Sequence, residues 1–389
     1  MNVVDEYIAG QVARLGELGQ WRDPQDAFAR SALAARFGEA ALDATSNDYL
    51  GLAPGLPVHA ASVSRETARA GAGASRLVQG TWPEHVALER ELSDWVDRPA
   101  ALLFSSGFAA NCGSVAALGG PDTAVFSDQF NHASIVDGCR LSRAQVTVVP
   151  HLSIDALSAA LEGAHDRAMR WVVTESYFSM DGDGPDLGAL RELCDRHHAG
   201  LVVDEAHAIG VFGPGGSGLC REQGIAPDVL VGTLGKAVGT EAAFVAGSEA
   251  LRGFLWNRAR SFVFSTAPSP ATCALTLRHV QHARAAETER ARLRSNVAAL
   301  RDLLSGAGLP LVAGSFGPIV SLLIGENQAA LAFAEALREA GVLVQAIRPP
   351  TVPQGFARIR LTVTARHTPM QIERLGRTLI EAWRRLRAT

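Results

Sequence analysis

Asp228-Val-Leu-Val-Gly-Thr-Leu-Gly-Lys236-Ala is an apolar run that ends in Thr-x-x-Lys, and upstream stands a second such run, Leu201-Val-Val-Asp204-Glu-Ala-His207. Val- and Leu-rich runs without polar alternation read as strands buried on both faces, as in a parallel sheet. Each strand then delivers its polar residues at its C-terminal edge. A buried acid, an imidazole and a lysine at neighbouring strand ends suit pyridoxal phosphate (PLP) chemistry. The lysine forms a Schiff base with the cofactor, and the acid keeps the pyridine nitrogen protonated.

Working outward, the same logic assigns short strands at Ala101–Phe104, Ala124–Phe126, Gln145–Val149, Arg170–Thr174 and Ala243–Ala246, with helical patterns such as Ala87–Val96 and Leu187–His198 among them. This alternation predicts a mainly parallel sheet with helices on both faces. After Pro268 the pattern changes to a long helical region, Ser269–Ser305. Strands follow at Ile319–Leu323, Val342–Ile347 and Ala357–Thr362, with helices at Ala329–Ala340 and Thr368–Arg385. The expectation is an N-terminal arm (1–45) with a helix near Val4–Leu18, a large α/β domain (46–268) and a smaller α+β C-terminal domain (269–389).

Ligands of open α/β sheets sit outside the C-terminal strand ends, and several segments fall there. Ser105-Ser-Gly107-Phe108 follows a strand and opens a helix, which is either an ordinary turn or a phosphate cradle. Asp204 alone reads equally as a helix cap. His207 shares its turn. Lys236, after Gly235 and before an apolar stretch, is placed for partial burial, which favours a nucleophilic amine. Asn131-His132-Ala-Ser134 is a capped helix start or an imidazole stacked on a planar ring. Ser179, in a turn-rich segment, is a hydroxyl donor or a turn residue. Arg358 and Arg360 alternate onto one face of a strand, where a guanidinium suits a carboxylate.

Asp204-Glu-Ala-His207 also spells the acidic box of helicase-type ATPases. That box needs an upstream GxxxxGK[ST] loop, and the chain has none. Net charge is −4 with no long like-charge block, which argues against nucleic-acid binding. The longest apolar stretches, such as Ile319–Ile324, are too short to span a bilayer, and the N-terminus lacks a signal-peptide pattern. Cys112, Cys139, Cys194, Cys220 and Cys273 are scattered and never form a CxxC pair. They read as free thiols in a reducing, cytoplasmic setting, with no metal site.

These segments together resemble the α-oxoamine synthases, a fold-type I PLP family. The likeness runs from Ser46-Asn47-Asp-Tyr-Leu-Gly-Leu through His367-Thr368. It includes Gly73-Ala-Ser-Arg-Leu-Val-Gln-Gly80, Phe104–Asn111, Phe178-Ser-Met-Asp-Gly-Asp183, Val203–Gly210, Gly232-Thr-Leu-Gly-Lys236 and Phe264-Ser-Thr266. The C-terminal Ala346-Ile-Arg-Pro-Pro-Thr-Val-Pro353 is similar to the branch that condenses L-alanine with a pimeloyl thioester, on CoA or a carrier protein, with loss of carbon dioxide and free thiol. The resemblance implies a homodimer with active sites at the interface. It makes Lys236 the Schiff-base lysine, with Asp204 on the pyridine nitrogen, His207 on the phenolic oxygen and His132 stacked on the ring. Gly107, Phe108 and Thr233 would hold the phosphate, Ser179 would add a contact, and Thr266 would reach the neighbouring subunit's cofactor phosphate. Arg360 would bind the amino-acid carboxylate, and Thr351, Asn47 and Arg22 would line the substrate pocket. Sister enzymes using glycine or serine with other acyl-CoA thioesters share these motifs, and an inactive PLP-fold binding module is the remaining alternative. Two departures stand out. Glu241 in Gly239-Thr-Glu-Ala-Ala243 puts a charge where the family has a Gly-rich run, and Thr81-Trp82-Pro83 occupies a loop near the acyl entry.

Overall fold

The computed structural model describes residues 2–18, 20–21, 28–55, 69–349 and 351–388. Its strands, in chain order, are β1 (Leu42–Asp43), β2 (Ala100–Phe104), β3 (Thr123–Asp128), β4 (Gln145–Val149), β5 (Met169–Glu175), β6 (Gly200–Asp204), β7 (Val229–Thr233), β8 (Ala243–Gly247), β9 (Ile319–Gly325), β10 (Val342–Leu343), β11 (Gln345–Ile347) and β12 (Ala357–Thr362). The helices are α1 (Val3–Glu17), α2 (Ala29–Phe37), α3 (Pro83–Trp95), α4 (Gly107–Leu118), α5 (Ala133–Ser142), α6 (Ile154–Glu162), α7 (Leu187–Arg196), α8 (Leu219–Glu222), α9 (Glu249–Arg258), α10 (Arg260–Val263), α11 (Pro270–Ala285), α12 (Glu287–Gly306), α13 (Asn327–Glu339) and α14 (Pro369–Ala388). The chain divides into two compact units. One comprises 47–179 and 183–293, the other 1–46, 180–182 and 294–389.

In the larger unit a single sheet runs in the order β2-β8-β7-β6-β5-β3-β4. β4, β3, β5, β6 and β7 pair in parallel, and β8 runs antiparallel to both β7 and β2. The mainly parallel sheet expected from the unbroken Val/Leu runs is therefore present. Every residue of β2, β6, β7 and β8 is buried. One core cluster joins Leu102, Phe104, Val125, Val173, Val202, Val231 and Val245 of the sheet to Ile135, Leu255 and Phe262 of the helices. Each such side chain contributes about 1.5–3 kcal/mol of burial energy. The covering helices obey local rules. In α7, Asp186 caps by accepting the Ala189 N–H at 2.9 Å, while Leu187, Leu190, Leu193 and Cys194 face inward at helical spacing.

The smaller unit holds the antiparallel sheet β11-β12-β9 and a short parallel pair, β1 with β10. Two readings of the sequence need adjustment. Val342–Ile347 is two strands separated at Val344, and the helical stretch after Pro268 breaks at Ala286, whose ψ of 47° ends α11. The N-terminal segment adds a second helix, α2, and α1 buries none of its side chains. Among the described residues no helix is long and apolar enough to cross a membrane.

Candidate active site

The C-terminal ends of β5, β6 and β7 align because Glu175 registers with Asp204 and Asp204 with Val231. Asp204 is buried. Its Oδ1 accepts the Ala206 N–H at 2.8 Å, and its Oδ2 accepts Asn111 Nδ2 at 2.6 Å from α4. Asn111 also donates to Ser134 Oγ at 3.1 Å, and that hydroxyl lies 2.7 Å from His132 Nδ1. The acid and the imidazole expected to flank a planar ring thus share one hydrogen-bonded chain. Burial lowers the His132 pKa against the pull of Asp204, and the Lys236 charge lowers it further.

Glu175 completes the cluster. It is fully enclosed, and its Oε1 accepts the His132 backbone N–H at 2.7 Å. Burial first, then the charge of Asp204, pushes its carboxyl well above the usual range, with Lys236 acting in the opposite direction. His207 is also buried, with its Nδ1 2.7 Å from the Tyr49 hydroxyl, and the same hydroxyl lies 3.3 Å from Asn47 Oδ1.

Beyond β7 the chain passes through Lys236 into the connection to β8. That connection is tied by three bonds: Leu234 N–H to the Ala242 carbonyl (3.0 Å), Thr240 N–H to that of Leu234 (2.9 Å) and Gly239 N–H to that of Lys236 (2.9 Å). Buried His279 on α11 donates from Nδ1 to the Val238 carbonyl at 3.0 Å. Gly239 adopts a φ of 73°, and a Cβ there would lie 2.5 Å from the Ala53 nitrogen, so only glycine fits. Glu241 is exposed at the tip of this turn, and β8 stays fully buried despite the charge. Lys236 is half-buried, and it is the only lysine in the sequence; the rest of the 36 Lys and Arg residues are arginines.

At the start of α4, Ser106 caps the helix. Its Oγ accepts the Ala109 N–H and its carbonyl the Ala110 N–H, which leaves the N–H groups of Gly107 and Phe108 ahead of the first helical bond. A Cβ on Gly107 would stand 3.7 Å from Thr233 Cβ and Oγ1. Gly107, Phe108 and Thr233 therefore meet at a helix N-terminus, an arrangement suited to a phosphate. With a buried carboxylate at the neighbouring strand end and one half-buried amine, this donor set fits PLP. Ser179 is half-buried after Phe178, and Thr266 is exposed, in a bridge with Ser75.

In the smaller unit, Arg358 and Arg360 are both buried on β12, and Arg358 is committed to an ion pair with Asp181. Thr351 is exposed, with its N–H on the Arg348 carbonyl at 3.1 Å. Arg22 lies outside the described residues. Among the described residues no cluster of His, Cys, Asp and Glu is arranged to hold a metal.

Asn111, Ser134, Glu175 and Tyr49 are candidate site residues that the sequence reading passed over. Glu175 had a signal: it ends an apolar run as Asp204 does. The single lysine was equally open to inspection. Asn111 and Tyr49 lie inside motifs quoted for the family likeness, but nothing there singles them out, because what defines each is a partner distant in the chain.

A family model described as aminotransferase class I and II matches residues 41–379. A protein named 8-amino-7-oxononanoate synthase from Anaeromyxobacter dehalogenans (strain 2CP-1) is 48% identical over 340 residues, covering 86% of this chain and 85% of that protein. One of the same name from Alkalilimnicola ehrlichii is 47% identical over 337 residues, covering 85% of each. Among solved structures, a serine palmitoyltransferase from S. paucimobilis with a bound PLP–myriocin adduct matches with a TM-score of 0.84 at 27% identity, covering 95% of this chain and 100% of that one. The chain belongs to the class I and II aminotransferase family, in its 8-amino-7-oxononanoate synthase branch, and is a PLP-dependent enzyme of fold type I.

Proposed function

We propose that the protein condenses L-alanine with a pimeloyl thioester, carried on CoA or a carrier protein, to give 8-amino-7-oxononanoate, carbon dioxide and free thiol, a step of biotin synthesis. The observation that carries this reading is the meeting of the sole lysine with the Asp204–Asn111–Ser134–His132 chain at the sheet's C-terminal edge. The identity near 48% to proteins named for this reaction supports the substrate pair.

When bound, PLP supplies an electron sink for the α-carbon of the amino acid. Lys236 would hold the cofactor through its ε-amino group, and its free amine would take the proton from the alanine α-carbon. Asp204 would keep a proton on the pyridine nitrogen. His207, oriented by Tyr49, would bond the phenolic oxygen, and His132 would cover the ring. The N–H groups of Gly107 and Phe108, with the Thr233 hydroxyl, would hold the phosphate, and Ser179 would add a contact. The alanine α-carbon attacks the thioester carbonyl, the thiol departs, carbon dioxide follows, and a proton returns to the α-carbon. Arg360, buried on β12, is the residue that the family resemblance assigns to the amino-acid carboxylate. Asn47, Thr351 and Arg22 complete the substrate pocket.

The working unit is a homodimer in which Thr266 reaches the phosphate in the neighbouring subunit. Exposed Phe108, Leu141 and Phe264 on the larger unit support a covered face. Five free cysteines support a reducing, cytoplasmic setting.

The test is thiol release by PLP-loaded protein with L-alanine plus pimeloyl-CoA, run beside glycine plus acetyl-CoA and serine plus palmitoyl-CoA. Release with the first pair alone supports the reading. Release only with another pair keeps the mechanism and moves the substrates.

A further inference from the structure

One half-buried charged cluster beside the site takes no part in the chemistry above. His151, in the connection from β4 to α6, lies with Nδ1 2.8 Å from Asp128 Oδ1 and Nε2 3.2 Å from Asp183 Oδ2. Both ring nitrogens face carboxylates, which only an imidazolium satisfies by donating twice. The ring is held between Phe130, with centroids 4.6 Å apart, and the edge of Phe178, at 4.5 Å. Burial alone would lower the His151 pKa, but the hydrogen bonds and charges of Asp128 and Asp183 carry it up to about 9.

The partners of this cation define its reach. Asp128 ends β3 and organises the turn that follows: its Oδ1 accepts the Phe130 N–H (2.8 Å) and its backbone carbonyl accepts that of Asn131 (3.2 Å), one residue before His132. Its Oδ2 accepts the Leu152 N–H at 2.9 Å. Leu152 sits at a φ of 55°, a left-handed conformation that a leucine keeps only where its surroundings impose it. Asp183 accepts the Phe178 N–H on its backbone carbonyl at 2.8 Å, next to Ser179. Three successive strand-to-helix connections thus converge on one imidazolium, and two of them carry candidate cofactor contacts.

We propose that His151 is a positioning residue of the active site, a cationic clasp that binds the β3–α5 turn bearing His132 to the segment bearing Ser179 and so fixes the seat of the cofactor ring. The proposal rests on the assignment of His132 and Ser179 as cofactor contacts. The clasp never touches the cofactor; it acts through Asp128 and Asp183. Removing it frees two loop carboxylates to repel one another beside the ring.

The test compares holoprotein of the wild type, His151→Ala and Leu161→Ala, a fully buried position on α6 outside the cluster. Two readouts are taken with Tm: the rate of PLP loss on dialysis and the visible circular dichroism of bound PLP, which reports ring orientation. The expected result is PLP loss accelerated about tenfold or more in His151→Ala, with a weakened visible band, as loss of a charge-assisted hydrogen bond predicts. Leu161→Ala, with a comparable fall in Tm, retains both signals. Equal behaviour of the two variants overturns the proposal by making His151 merely structural. If His151→Ala does not fold, Asp183→Asn takes its place; faster PLP loss supports the clasp, and an unchanged rate and band overturn it. A wild type with no visible PLP band would sink the assignment of the site itself, and this inference with it, a result distinct from a normal wild type beside an unaffected variant.

Discussion

Glu175 registers with Asp204 on the adjacent parallel strand, and its Oε1 accepts the His132 backbone N–H at 2.7 Å. Burial, then the Asp204 charge, pushes this carboxyl well above the usual range, with Lys236 acting in the opposite direction. Glu175→Gln keeps an acceptor for the His132 N–H, so turnover should stay within a few-fold of wild type. Glu175→Ala strands the His132 N–H, costing about 1–3 kcal/mol, and should lower both Tm and PLP retention. Steady-state kinetics beside thermal unfolding separates the two, and a large activity loss in Glu175→Gln would mean that an ionised carboxylate is required.

Asn111 Nδ2 donates to Asp204 Oδ2 at 2.6 Å. Asn111→Leu leaves that oxygen unpaired and unhooks Ser134 from the chain to His132. A loss of about 1–3 kcal/mol from such a contact corresponds to roughly a 10- to 100-fold fall in kcat. Alanine KM should move less, because the interaction is with the ring-facing acid and not with the substrate carboxylate. A KM effect larger than the kcat effect would contradict this placement.

Reduction of the holoprotein with borohydride should fix one cofactor per chain, on the peptide containing Lys236, as read by mass spectrometry. No other side-chain ε-amino group exists in the sequence to compete. Lys236→Ala should show no fixed cofactor on any side chain and no turnover, and retained turnover in that variant would falsify the mechanism.

Two buried groups make stability fall as pH rises. Glu205 has its pKa raised from 4.5 to about 7 by burial, against the hydrogen bonds it accepts, led by the Cys220 N–H. Its protonated form is the folded one, so stability is full at acid pH and is lost as pH climbs from about 4.5 through about 7. His151 is raised from 6.5 to about 9, so its contribution is complete below about 6.5 and is lost as pH passes about 9. Each amounts to on the order of 3 kcal/mol at most. Urea unfolding across this range should show Glu205→Gln flattening the acid half of the slope and His151→Gln the alkaline half. An unchanged slope in either variant would deny that group its role.

Much of the fold was legible because β2, β6, β7 and β8 are uninterrupted apolar runs, and burial on both faces leaves no competing period. Asp204, His207 and Lys236 stood out for the same reason, as polar residues ending such runs. The ion pair of Arg358 was not legible, because Asp181 is remote from it in sequence. The Asn111 bond to Asp204 and the His151 clasp were hidden likewise: α4 and the three strand connections come together only when the sheet is assembled. The break at Ala286 had no Gly or Pro to announce it.

The tethered turn around Lys236 bears on how the amine travels during turnover. Gly239 sits against Ala53, and the turn carbonyls of Leu234, Lys236 and Val238 are all hydrogen-bonded. In the proposed mechanism the amine then moves on its four-carbon stem from a tied backbone. The high local concentration at which it would meet the substrate α-carbon is set by side-chain rotamers. Lengthening or softening that turn would dilute the base without altering a single contact to the ring.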